Sequence, residues 1–287
     1  MKSKAIIPVA LAGIFLLAGC AASADTTEAA ETEPAKCVAE VPDSALVEAG
    51  KLNLGTNATL PPLSYTDEAG ALLGQRIEMG EEIAERLCLD VVWTNAQATT
   101  LQPSMDAGRI DAVNIGFFVT DERIKVMRMI PTEQMGISIS VGEGNPKKIE
   151  AVEDLSGLAV GAAVASFEEK TLIALSDELV AQGLEPMKIQ TFNEYNIVFQ
   201  TLSSGQIDAA ATTSPVSAYY EEKGGFTAAI TDLSLTNTAI AVGGDNAVLG
   251  DAIVTALDSM KDDGTYEALL EKYNLTAVDT FEVLFAG

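Results

Sequence analysis

Thr120 and Arg123 stand three residues apart just after the apolar run 113–118, and the pair could build an oxyanion site. The run is rich in β-formers and follows a glycine-containing turn, Gly108-Arg109-Ile110-Asp111-Ala112, which predicts a buried strand. Thr120 then falls where a helix N-cap belongs, with Arg123 inside the first turn. A buried strand that ends at a helix N-terminus leaves free backbone N–H groups pointing at one spot. Arg123 sets a rigid, permanently charged fork beside those donors. Such a pocket suits a carboxylate or another small oxyanion. A surface arginine in an ordinary strand-to-helix turn would share the same local pattern, so the rest of the chain has to decide.

Other chemistries are thinly represented. The 287 residues include no histidine, which removes the commonest metal ligand and general base. Gly-x-Ser-x-Gly, phosphate-loop and His-Glu-x-x-His motifs are absent. Lys261-Asp262-Asp263-Gly264 lacks the alternating ligands and closing Glu of a calcium loop. No metal and no cofactor is expected. The formal charge is −25, and loss of Lys2 and Lys4 with a leader would leave 15 basic against 42 acidic residues, or −27. That acidity argues against nucleic acid and anionic lipid surfaces as partners.

Residues 1–20 read as a targeting segment: Lys2 and Lys4 precede an apolar stretch too short for a comfortable span. Leu17-Ala18-Gly19-Cys20 resembles a lipobox, in which Cys20 would carry the lipid; an uncleaved anchor with a chance cysteine is the alternative. A diacylated cysteine would anchor stably at about 0.8 kcal/mol per buried CH₂. Residues 21–43 begin with an Ala/Thr/Glu-rich stretch that cannot bury enough surface to offset its ordering entropy, and are expected to form a flexible acidic tether. Cys37 and Cys88 remain as an even pair, a disulfide candidate outside the cytoplasm, with two buried free thiols as the other possibility.

The body alternates β and α patterns. Strand 52–56, a Pro-interrupted loop 57–65, helix 77–88, strand 90–94 and helix 101–107 lead into the strand that presents Arg123. A second series follows Asn145-Pro146: strand 158–163, helix 168–182, strand 187–192, helix 194–203 and strand 209–211, with helices inside 251–274 closing the chain. This order implies mostly parallel sheets with ligands at strand C-terminal ends. Gly108-Arg109-Ile110-Asp111-Ala112 is echoed by Gly205-Gln206-Ile207-Asp208-Ala209, which marks corresponding positions in two lobes.

The Gly108/Asp111/Ala112, Gly116 and Thr120/Arg123 pattern resembles that of the amino-acid type (family 3) of bacterial extracellular solute-binding proteins, the receptors that feed ABC importers. Gly50-Lys51-Leu52, Pro61-Pro62, Glu153-Asp154-Leu155-Ser156-Gly157 and Asp263-Gly264-Thr265 fall in the expected order from about Gly50 to about Leu275. The resemblance implies an α/β, two-lobed periplasmic-binding-protein-like fold of type II. Lobe 1 would be 44–140 with 238–287 and lobe 2 would be 141–237, with hinge crossings near 137–141 and 236–242. It also implies an extracytoplasmic lipoprotein that delivers a small carboxylate-bearing solute to an ABC permease, as a monomer held to the membrane through Cys20.

In such receptors the residue equivalent to Arg123 grips the ligand's carboxylate. Carried over with it are Thr120, Gly116, Asn57, Leu60, Phe118 in place of a hydroxyl residue, and Ser166, which follows Ala165 where a Gly-Thr pair is usual. Thr213 falls where an Asp normally binds the α-ammonium, which forfeits a contact of about 1.5–3 kcal/mol. Trp93 lies near a ligand-stacking position and is equally a half-buried strand residue. Glu78 replaces a frequent Asp at a helix start. These departures point to a small carboxylate held in an unusual mode. Opine-like, betaine-like and dicarboxylate ligands stay open, as does an ordinary amino acid met by another acid such as Glu133. No catalysis is expected; the alternatives are a stand-alone lyase on this fold, working with Glu, Asp or Lys, and a tethered sensor for a signalling receptor.

Overall fold

The computed structural model describes residues 37–287, so the leader, Cys20 and most of the expected tether lie outside the described residues. The elements are β1 (Lys51–Thr56), β2 (Thr59–Leu60), β3 (Ser64–Thr66), β4 (Leu72–Leu73), α1 (Gln75–Arg86), β5 (Asp90–Asn95), α2 (Ala98–Asp106) and β6 (Ala112–Phe118). There follow β7 (Met127–Gly142), β8 (Ala159–Ala163), α3 (Phe167–Ala181), β9 (Lys188–Phe192), α4 (Tyr195–Ser203), β10 (Ala209–Thr213), α5 (Ser214–Lys223), β11 (Phe226–Gly243), α6 (Ala247–Asp263) and α7 (Thr265–Lys272). The stretch expected as a Pro-interrupted loop contains β2 and β3, which form a three-stranded sheet with β4. Strands of two or three residues carry too little alternation to be read from sequence.

Eight strands form one sheet in the order β5-β1-β6-β11-β7-β10-β8-β9. The outer strands on each side are parallel to one another, while β7 and β11 run antiparallel to each other through the middle. The two expected crossings lie within these long paired strands. Their ladder shifts register at four places between Ala228 and Ala239, which breaks a continuous ribbon into segments.

Two cores flank this ladder. Leu52, Leu54, Met79, Ile83, Leu257, Met260 and Tyr266 pack where α1, α6 and α7 cover β1, and Leu101, Val113, Met127 and Met129 fill the opposite face. Ile139, Val160, Leu172, Val198, Phe199 and Leu202 form the second core, joined by Leu60, Leu63 and Phe118 from the first half. Met135, Ile137, Ile139 and Val141 also belong to that second core.

Two echoed motifs do the same structural job. Asp111 N–H donates to Asn53 O at 2.8 Å while its carboxylate accepts from Asn53 N–H at 2.7 Å. Asp208 N–H donates to Ala159 O at 2.8 Å and its carboxylate accepts from Ala159 N–H at 2.9 Å. Each Asp locks its loop to the neighbouring parallel strand. Cys37 and Cys88 are disulfide-bonded with Cα atoms 5.5 Å apart, which fixes the N-terminal arm to the end of α1.

Candidate functional site

Strand β6 carries the site. It ends at Gly116, Phe117 and Phe118, and the turn beyond it leads to a single 3-10 turn, Arg123–Lys125. The expected α-helix is not formed there, so the anchor is the arginine and not a set of helix N-terminal donors. Thr120 Oγ1 accepts from Arg123 N–H at 3.3 Å. The guanidinium donates from Nη1 to Phe118 O at 2.8 Å and lies 4.8 Å from the centre of the Phe117 ring. Those contacts hold it in the wall of a cleft of about 430 Å³.

A second arginine shares that cleft. Arg76, the second residue of α1, is only 2 % exposed. Its backbone is tied at both ends, by N–H donation to Leu63 O at 2.9 Å and by O accepting from Asn114 Nδ2 at 2.7 Å. Its guanidinium rests on Gly116, where a Cβ would come 2.7 Å from Arg76 Cζ. Arg76 Nε and Nη1 are buried without a hydrogen-bond partner among the described residues. Sequence reasoning missed this residue because the helical stripe was read from Ile77 onward. The available signal was Gly116 itself: an isolated glycine inside a strand marks close approach by another group.

The facing wall comes from the second half. It is lined by Ala163, Ala165, Ser166, Phe167, Glu168, Asn193, Tyr195 and Thr213. Phe167 stacks on Phe118, with ring centres 4.4 Å apart, so the apolar wall expected at Phe118 spans the cleft. Glu168 is 1 % exposed, and both its carboxylate oxygens accept from Tyr195 O–H, at 3.1 and 3.2 Å. Neither residue was singled out from sequence. Ser166 Oγ caps α3 by accepting from Glu169 N–H at 3.1 Å. Ala165 adopts φ +57°, a conformation that favours the glycine usual there. Thr213 is buried in the wall with Oγ1 unpartnered among the described residues.

Of the remaining expected site residues, Asn57 and Leu60 line the cleft, and Asn57 Nδ2 reaches Ala96 O at 3.0 Å and Glu194 Oε2 at 3.5 Å. Trp93 does not line it. Its ring packs over Gly80, where a Cβ would come 2.6 Å from it, because α1 lies on that face of β5. Thr120 acts on Arg123 from behind and is not part of the wall. Glu133 is buried outside the cleft lining, with Oε1 accepting from Thr238 Oγ1 at 2.7 Å, so it does not replace the missing acid in the wall. Glu78 joins Lys272 at 2.7 Å and Tyr273 O–H at 2.7 Å, tying α1 to the end of α7.

The electrostatics follow from burial. Desolvation lowers the pKa of both guanidiniums, opposed at Arg76 by Glu133, Tyr195 and Glu168 and at Arg123 by Glu168, Tyr195 and Glu122. Desolvation also raises the Glu168 carboxyl above the usual carboxylate range, and the Tyr195 phenol rises well above its ordinary value. Arg76 and Arg123 are both placed to meet negative charge in the cleft, whose lining also carries the buried Glu168 and the exposed Asp106.

A mixed α/β body with two cores and a charged cleft between them defines a two-lobed solute receptor. The chain belongs to the bacterial extracellular solute-binding proteins, family 3, whose sequence pattern matches residues 52–276. It is 28 % identical over 229 residues to the L-cystine-binding protein TcyJ of Escherichia coli (strain K12), covering 79 % of this chain and 83 % of that one. Among solved structures it resembles an ancestral arginine-binding protein bound to arginine, at 32 % identity and a TM-score of 0.72, over 78 % of this chain and 98 % of the other. It also resembles the ancestral amino acid-binding protein AncCDT-1, a precursor of cyclohexadienyl dehydratase, at 30 % identity and a TM-score of 0.69, over 78 % and 95 %. Its role is substrate binding of the amino-acid transport type.

Proposed function

We propose that this protein captures a small carboxylate-bearing solute, an amino acid or amino-acid derivative, and delivers it to an ABC permease from the outer face of the membrane. Arg123 carries the reading: a half-buried guanidinium held by Phe118 O and the Phe117 ring in the cleft wall. The ligand's carboxylate would meet Arg123, with Gly116, Phe118, Asn57, Leu60, Ser166 and Thr213 around it. The ligands of its relatives, cystine and arginine, support an amino-acid scaffold. The lobes, 44–140 with 238–287 and 141–237, would close about β7 and β11, where the register shifts give the ladder places to bend. Lipid on Cys20 would keep the monomeric receptor near its permease.

Native mass spectrometry of the purified protein, followed by a thermal-shift screen of amino acids, opines, betaines and small diacids, tests this. A true ligand at 100 times its Kd stabilises by about 2.7 kcal/mol. A screen without any stabilising carboxylate would count against the reading.

Glu168 favours one rival reading, a lyase. It is a buried acid in the cleft wall, and a general acid is what such an enzyme needs. Recovery of a bound ligand unchanged after prolonged incubation argues for the receptor, and its turnover for the enzyme.

A further inference from the structure

We infer that Arg76 holds a second acidic group of the ligand, so that the cleft takes a molecule with two carboxylates on a short chain. This rests on the proposed capture of a carboxylate by Arg123 and adds a subsite to it.

Arginine stays protonated even when buried, so the Arg76 charge has to be met by an anion and cannot be relieved by losing a proton. The described residues do not supply a direct partner. The ion pairs within 4.0 Å involve Lys51, Arg86, Lys147 and Lys272, and none involves Arg76. Glu133 acts on Arg76 only from beyond ion-pair distance, with Oε1 bonded to Thr238 and Oε2 unpartnered among the described residues, and Glu168 is held by Tyr195. Nε and Nη1 of Arg76 are buried and unpartnered in a side chain that lines the cleft. An isolated buried charge of this kind is costly unless paired and hydrogen-bonded.

The two arginines meet one strand. Arg76 rests on Gly116, and Arg123 bonds to the backbone carbonyl of Phe118, two residues further along β6. Two residues of strand span roughly 6–7 Å, the scale of two carboxylates separated by two or three carbons. The floor between them is Gly116, whose missing side chain leaves the space that Arg76 occupies. An acidic amino acid offers a partner to each buried charged side chain of the lining. Two carboxylates would face Arg76 and Arg123, and one ammonium would face Glu168. Glu168 would then stand in from the opposite wall for the acid that Thr213 replaces.

The test is calorimetric titration of the full mature chain with glutamate, aspartate, glutarate and succinate, against glutamine and alanine as single-carboxylate controls. At least one diacid is expected to bind at least about 100-fold more tightly than the controls, as for pairing a charge that is otherwise left buried and unpaired. Arg76→Gln is expected to remove that preference while leaving the circular dichroism spectrum unchanged. The wild-type comparison of glutamate with glutamine needs no variant, so a folding defect in Arg76→Gln does not spoil the test. Equal binding of diacids and controls, or no binding by any of the four diacids, overturns the inference. Loss of control binding in Arg123→Gln with no diacid preference would sink the second subsite alone; unchanged binding in Arg123→Gln would sink the parent reading.

Discussion

Arg76 lies against Gly116 so closely that a methyl group on the glycine would overlap the guanidinium, with Cζ 2.7 Å away. Gly116 also has φ +63°, which an L side chain rarely adopts. Strand β6, which the sequence announces by its apolar run, is thus shaped at its end to seat a charge from another helix.

Gly116→Ala should therefore act twice. Backbone strain at positive φ adds about 1 kcal/mol and overpacking about 1–3 kcal/mol. A loss of about 2–4 kcal/mol in urea unfolding is expected, together with weaker ligand binding in calorimetry as Arg76 is pushed away. Unchanged stability would mean that Arg76 does not rest there.

Glu168 gives a pH signature in the ligand-free protein. Its carboxyl is raised by burial, and the groups facing it are Tyr195 and, more distantly, Arg123 and Arg76. A raised acid binds its proton more tightly in the folded than in the unfolded chain. Its effect is nil below the ordinary carboxylate pKa of about 4, and it lowers stability as pH rises from there through the folded pKa. Glu168→Gln should accordingly match the wild type near pH 4 and melt higher at pH 7, by differential scanning calorimetry. A lower melting point at pH 7 would show that the ionised carboxylate is a net stabiliser.

The Cys37–Cys88 bond closes a loop with a sequence separation of 51. Removing such a link typically costs about 2–4 kcal/mol, largely through the unfolded chain in the loop-entropy account. Cys37→Ser with Cys88→Ser should lower the denaturation midpoint while leaving ligand affinity intact, since neither residue lines the cleft. A large change in affinity would place the N-terminal arm in the binding mechanism.

What could be read from sequence was whatever depended on neighbours along the chain. The strand ending at Phe118 follows from its apolar run, and the twin roles of Asp111 and Asp208 from a repeated five-residue motif. Arg123 carried its own signal in its spacing from Thr120. What escaped depended on contacts across the fold. Glu168 meets Tyr195 from another helix, and Arg76 meets Gly116 with β5 and α2 between them in the chain. Trp93 shows the limit of alternation: it tells that neighbouring side chains take opposite faces, not which face looks into a cleft.

The most direct test is calorimetric titration of Arg123→Ala with a ligand that stabilises the wild type. Affinity is expected to fall by about 2–4 kcal/mol, as when one partner of a buried charge pair is truncated, with the far-ultraviolet spectrum retained. Affinity equal to the wild type would remove Arg123 from the site and, with it, the basis for a carboxylate receptor.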